Sequence, residues 1–126
     1  MKALANLALP APFKSAEEAL WAEQSALELG RLGLVANLTE YEPLRFSVGG
    51  GWYTPDFLHI LQDGRIVLVE VKGSRYQPSY RASRTKLKAA AEKFPYFYWL
   101  QATRDARGKE KVWRIEQIGA PLGKEN

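Results

Sequence analysis

The residues of this chain best suited to chemistry gather in one stretch, Tyr53 to Lys72, YTPDFLHILQDGRIVLVEVK. Two β-rich apolar runs, Phe57–Leu61 and Ile66–Val71, flank an Asp63-Gly64 turn signal. Pro55-Asp56 stands at the entrance and Glu70-Val71-Lys72 at the exit. Acidic and basic side chains seldom end such apolar runs unless they pair with each other or hold an ion. Asp56 and Glu70 on one face, with Lys72 two residues on, would suit a hard divalent cation. Mg²⁺ takes oxygen ligands, keeps several waters and is commonly held by one or two carboxylates together with substrate phosphates. The backbone carbonyl of Val71 is a further candidate ligand. Such a cation activates water and neutralises the charge that builds on a phosphate in the transition state. Lys72 would orient the attacking water or contact the phosphate. A role as base would require the cation to lower its pKa from the ~10.4 of free lysine.

The length of the turn decides whether these groups can meet. If Asp63-Gly64 alone formed the loop, Gln62 would face Arg65, Asp56 would fall opposite Val71, and its carboxylate would miss Glu70. A three-residue loop, Gln62-Asp63-Gly64 with Gly64 left-handed after a type I turn, pairs Leu61 with Arg65 instead. Asp56 then lies across from Glu70, and because side chains alternate, Lys72 joins them on that face. The three-residue turn is expected. His59 alternates to the opposite face, where a structural role is expected of it.

The elements around this hairpin follow from capping and periodicity. Residues 1–13 read as an arm and 119–126 as a frayed tail of a single domain spanning 1–126. Ser15-Ala16-Glu17-Glu18 is a capping box, so a helix should start near Ala16 and stop around Gly30 to Gly33. Its expected inner stripe is Ala19, Ala22, Ala26 and Leu29, with Leu20 and Leu27 beside it. Thr39–Ser47 reads as a strand in which Pro43 demands an edge or a bulge. Gly49-Gly50-Gly51 reads as a flexible connection. A second helix is expected over about Ser79 to Phe94, with Leu87, Ala90, Ala91 and Phe94 turned inward and Arg81, Arg84 or Thr85, and Lys88 on a separate row. Pro95 ends it. Tyr96–Ala102 is an aromatic strand, and Glu110–Ile118 a last alternating one. The order α-β-β-β-α-β-β gives an α/β fold, a mixed sheet flanked by helices.

Composition narrows the function classes. The chain has 126 residues, 46% of them hydrophobic and 25% charged, as in an ordinary soluble domain. With no Cys and one His, disulfides, thiolate sites and zinc enzymology are set aside, and no organic cofactor is expected. The N-terminal MKALANLALPAPF is interrupted by Asn6, Pro10 and Pro12 and does not read as a signal peptide. No run is long enough to span a bilayer, so a cytoplasmic protein is the expectation. The net charge of +4 is unevenly spread. From Lys72 to Lys93, Lys72, Arg75, Arg81, Arg84, Lys86, Lys88 and Lys93 face the single acid Glu92, whereas Ser15–Glu42 is acidic. A basic segment after a carboxylate cluster fits an anionic polymer gripped by one and attacked by the other.

In sequence order these features resemble the PD-(D/E)XK nuclease superfamily, near its small phage-type Holliday-junction-resolvase and VRR-NUC groups. The resemblance rests on Ser15-Ala16-Glu17-Glu18, Tyr53-Thr54-Pro55-Asp56-Phe57, Asp63-Gly64, Glu70-Val71-Lys72-Gly73 and Arg84-Thr85-Lys86-Leu87. It implies a restriction-endonuclease-like αβββαβ core and Mg²⁺- or Mn²⁺-dependent hydrolysis of DNA, specific for structure rather than sequence. It further implies Asp56, Glu70 and the Val71 carbonyl as metal ligands, Lys72 as the catalytic lysine, and Glu18 as the helical acid, direct or through water. Glu18 has a rival role as the N3 residue of the capping box, with Glu17 as the alternative acid. Arg75, Arg81, Arg84, Lys86 and Lys88 are the expected DNA contacts. Trp52 and Tyr53 are candidates for stacking on a base or for packing. A domain of this size covers little duplex, which admits a homodimer. The alternative function is a non-catalytic nucleic-acid-binding module on the same fold.

Overall fold

The computed structural model describes residues 12–74, 78–107 and 110–119. Its elements are α1 (Ala16–Arg31), β1 (Ala36–Tyr41), β2 (Phe46–Ser47), β3 (Trp52–Tyr53), β4 (Phe57–Leu61), β5 (Ile66–Lys72), α2 (Tyr80–Lys93), β6 (Tyr98–Arg107) and β7 (Glu110–Ile118). Five strands form one mixed sheet in the order β1-β4-β5-β6-β7, and β2 and β3 form a small separate hairpin. All neighbours in the large sheet are antiparallel except β5 and β6. That parallel step needs a crossover, and α2 supplies it. Among the described residues no helix is long and apolar enough to cross a membrane.

The central turn adopts the three-residue form. Leu61 N–H reaches the Arg65 carbonyl at 2.8 Å, Gly64 N–H reaches the Leu61 carbonyl at 2.9 Å, and Gly64 has φ of 93°. Nothing crowds the Gly64 Cα, so its positive φ is what calls for glycine. The ladder follows as Ile60↔Ile66, His59↔Val67, Leu58↔Leu68 and Phe57↔Val69. Asp63 secures the turn by accepting from the Arg65 backbone and side chain at 3.0 and 2.9 Å.

Each face of the sheet carries its own core. α1 lies over Phe57, Leu61, Val67, Val69, Val71, Leu100 and Ala102, contributing Trp21 and Leu29. On the other face α2 contributes Leu87, Ala90 and Ala91 against Leu58, Leu68 and Trp99, joined by Phe46 and Tyr53 of the small hairpin. Covered on both sides, β4 and β5 read as continuous rather than alternating apolar runs. Full burial of each large side chain stabilises the fold by roughly 1.5–3 kcal/mol.

Three expectations are corrected. The inner stripe of α1 is Trp21, Ser25 and Leu29, while Ala26 is exposed and Leu27 is 61% exposed. The helix is rolled so that Trp21, the side chain with most apolar area to remove from water, is wholly buried. The expected strand Thr39–Ser47 is split: Glu42 takes a positive φ of 48° ahead of Pro43, ending β1, and Phe46–Ser47 restarts in the other sheet. The glycine run is a tight turn rather than a loose link. Gly49 and Gly50 have φ of 69° and 78°, and Val48 N–H reaches the Gly51 carbonyl at 3.0 Å, as in a two-residue type I′ hairpin. The second helix and its inner face agree with expectation. Of the N-terminal arm, Phe13 stacks edge-on to Tyr41 and packs on Phe57; residues 1–11 and 120–126 lie outside the described residues.

Candidate active site

Continuing the β4–β5 register one step beyond Phe57↔Val69 sets Asp56 across from Glu70. Hydrogen-bonded and non-bonded pairs alternate along an antiparallel ladder. Leu61 and Arg65 are a bonded pair, so Pro55 and Val71 fall on a bonded position as well. Proline has no N–H, so Pro55 gives nothing to the Val71 carbonyl across from it. On the other side of that residue the Val71 N–H donates to Asp56 Oδ2 at 2.7 Å. The proline thus opens the ladder where the carboxylate steps in.

Glu70 is held at both oxygens. Tyr53 Oη donates to Oε1 at 2.7 Å, and Lys72 Nζ lies 3.4 Å from Oε2. Lys72 Nζ also donates to Ser79 Oγ at 3.3 Å, which ties the end of β5 to the start of α2. Asp56, Glu70 and Lys72 are all buried, as is Tyr53. Burial pushes the Asp56 carboxyl up to about 9, helped by the charge of Glu70 and opposed by the Val71 N–H. Glu70 is also raised, chiefly by burial, against the pull of Tyr53 and Lys72. The Tyr53 hydroxyl is raised by burial and by Glu70. Lys72 pairs with Glu70, so the cluster carries an excess negative charge only when Asp56, raised by burial, loses its proton.

That donor chemistry fits a divalent cation: two acid oxygens sets, one carbonyl without a ladder partner, and too little positive charge. Among the described residues no cluster of three or more His, Cys, Asp or Glu side chains is arranged around a common point. Two carboxylates plus a carbonyl suffice for a Mg²⁺-type site, which leaves positions for water and phosphate.

The acids of α1 border this cluster without joining it. Ser15 Oγ accepts from Glu18 N–H at 3.1 Å, as in an N-cap. The Glu18 carboxylate then accepts from Lys14 N–H at 2.9 Å and from Tyr41 Oη at 2.7 Å, rather than from Ser15 N–H. Its charge still reaches Asp56 and Glu70, raising both. Glu17 lies at the exit of β5: a Cβ built on Gly73 would come within 3.0 Å of Glu17 Cδ. The rolled helix explains both placements, because Glu17 and Glu18 precede Trp21 by four and three residues and share its inward side.

The basic residues of α2 separate into held and exposed. Arg84 is held within the protein, donating to Glu116 Oε2 at 2.6 Å and to Gln101 Oε1 at 3.2 Å. Arg81, Lys86 and Lys88 are exposed on α2. Arg75, with Tyr76 and Gln77, lies outside the described residues. His59 is fully buried on the α1 face, as its alternation predicts. The participation of Tyr53 and Ser79 was not legible beforehand. Tyr53 could have been suspected from its place three residues before Asp56, whereas nothing local marks Ser79.

No known family's sequence profile matches the chain, and no curated protein matches it. The solved structures it resembles include one titled "Crystal structure of SSO0001", with a TM-score of 0.40 and 14% identity over 84% of this chain. The chain covers 51% of that protein, about half its length.

Proposed function

We propose that the protein is a metal-dependent endonuclease, hydrolysing phosphodiester bonds of DNA with Mg²⁺ or Mn²⁺, on a restriction-endonuclease-like αβββαβ core formed by α1, β1, β4, β5, α2 and β6. One observation carries the reading. Asp56, Glu70 and Lys72 converge in a buried patch at the end of β5, beside a Val71 carbonyl to which Pro55 can donate no hydrogen bond. Mutually repelling carboxylates are unfavourable for folding, and their burial is understandable if a cation compensates them.

Asp56, Glu70 and the Val71 carbonyl would hold the cation, which when bound supplies charge neutralisation at the phosphate and activation of water. The Val71 N–H fixes the rotamer of Asp56, and Tyr53 fixes Glu70, so both acids are oriented before substrate arrives. Lys72, positioned between Glu70 and Ser79, orients the attacking water or donates to a phosphate oxygen. Glu18 acts on the site through its charge and by anchoring Tyr41 and Lys14. Arg81, Lys86 and Lys88 supply backbone contacts along α2.

The test is cleavage of labelled single-stranded, duplex, flap and four-way-junction DNA with Mg²⁺, Mn²⁺ or EDTA. Cutting that depends on the metal and vanishes in Glu70→Ala and Lys72→Ala is expected. Cutting that survives both substitutions would remove the assignment. A second reading, a nucleic-acid-binding module without catalysis, is favoured by the engagement of Glu18 with Lys14 and Tyr41. It predicts salt-sensitive DNA binding with no cleavage under any metal.

A further inference from the structure

The β2–β3 hairpin has two unlike faces. Phe46 and Tyr53 point inward, with Phe46 packed on Phe94, Phe97 and Trp99 and Tyr53 hydrogen-bonded to Glu70. Trp52, the chain neighbour of Tyr53, is 53% exposed, and the Arg45 guanidinium lies 4.3 Å from the centre of its ring. The hairpin that carries this pair is closed at its turn and anchored to α2. Its type I′ turn is closed by Gly49 and Gly50, and Lys93 Nζ clamps it to α2 by donating to the Ser47 carbonyl at 2.9 Å. An aromatic ring left half in water, carried on an anchored hairpin and paired with a cation, has the chemistry of a stacking platform for a nucleobase.

We infer that Trp52, backed by Arg45, binds an unpaired base of the substrate, so that the protein selects nucleic acid with a single-stranded segment beside the cleaved bond. The inference rests on the nuclease reading for its substrate but not for its binding. Base stacking needs an unpaired base, because in a duplex both faces of each base are already covered. Arg45 supplies a positive charge for the adjoining phosphate, and no acidic side chain of β2 or β3 opposes it. The hairpin's inner face holds Glu70 while its outer face offers Trp52. A fork fits this arrangement: one strand enters the site and the departing strand crosses the ribbon.

The decisive experiment measures affinity for a short oligothymidylate and for a blunt duplex in EDTA, where no cutting occurs. Wild type is compared with Trp52→Ala and Trp52→Tyr. Loss of stacking on one base should weaken single-strand binding by about 10- to 100-fold in Trp52→Ala, leave duplex binding within about twofold, and be largely rescued in Trp52→Tyr. Quenching of tryptophan fluorescence by the oligonucleotide should disappear in both variants. Equal single-strand affinity in wild type and Trp52→Ala overturns the inference, even if metal-dependent cleavage is present. Trp52-dependent single-strand binding without cleavage under any metal sustains it and overturns the nuclease reading instead.

Discussion

Two buried polar clusters sit on opposite faces of the same strand pair, and they are built in opposite ways. On the α1 face His59 is fully buried, accepts from Trp21 Nε1–H at its Nε2 (3.1 Å) and meets Thr39 Oγ1 at its Nδ1 (2.9 Å). The indole can only donate, so Nδ1 carries the proton and donates to Thr39. The ring also stacks on Phe57 at an interplanar angle of 9°. Every polar atom is matched and no net charge is carried, as a structural cluster requires. On the α2 face Asp56, Glu70 and Lys72 are buried as well, though not completely, and set two acids against one base. Satisfied neutrality stabilises; two buried acids against one base are held only at a cost, which the chain meets here by raising the pKa of Asp56. Burial alone therefore does not single out a candidate site, whereas acids in excess of bases under burial do.

The largest expected effect separates the clusters by activity. Asp56→Asn and Glu70→Gln should lower cleavage by ~100-fold or more, while the thermal midpoint of Asp56→Asn in EDTA holds, because burial already keeps the carboxyl it replaces protonated. A clear fall in midpoint without loss of cleavage would make the α2-face cluster structural.

Next, the clusters should give opposite pH slopes. Desolvation lowers His59 from 6.5 to about 4. Between those values the unfolded chain binds the proton and the folded chain does not, so stability rises with pH there and is lost as pH falls towards 4. The size is at most ~3 kcal/mol. Asp56 is raised from 3.8 to about 9, so the folded chain holds its proton longer and stability falls as pH rises across that window. The two slopes cancel where the windows overlap, between about 4 and 6.5. Denaturant titrations in EDTA should therefore show a level stretch and then a fall towards pH 9, and Mg²⁺ or Mn²⁺ should flatten that alkaline limb. An alkaline limb indifferent to divalent cations would count against the metal site.

Smaller again, Trp21→Phe leaves His59 Nε2 without a donor and should destabilise by about 1–3 kcal/mol. Cleavage per folded molecule should not change, which a paired melt and activity assay would check. The smallest effect is expected for Tyr53→Phe, which frees Glu70 Oε1 but keeps the ring packed. A loss of a few-fold in cleavage with stability changed by ~1 kcal/mol is the expected outcome. A loss as large as that of Glu70→Gln would make Tyr53 a participant in the chemistry rather than a support.

The strand pair and its site were legible because they are local. Asp63-Gly64 fixes a loop, the loop fixes the register, and the period of two decides which side chains share a face. Asp56, Glu70 and Lys72 were therefore placed together from residues less than twenty positions apart. His59 was assigned to the opposite face by the same alternation. The roll of α1 is not legible in the sequence, because a row of alanines resembles an inner face and one tryptophan outweighs it. Arg84 could be counted as a cation, but its partner Glu116 lies on β7, thirty-two residues away.

What the sequence determined by itself is the hairpin, its turn, and the identity and facing of the three central groups, since these depend on backbone geometry over a short span. What only the tertiary structure decided is how those groups are held. The β2–β3 hairpin folds back to put Tyr53 on Glu70 and leave Trp52 in water. The start of α2 brings Ser79 to Lys72, and β1 takes the Glu18 carboxylate through Tyr41. These contacts join segments whose relative placement is set by packing two helices on a twisted sheet, and no periodicity along the chain encodes that.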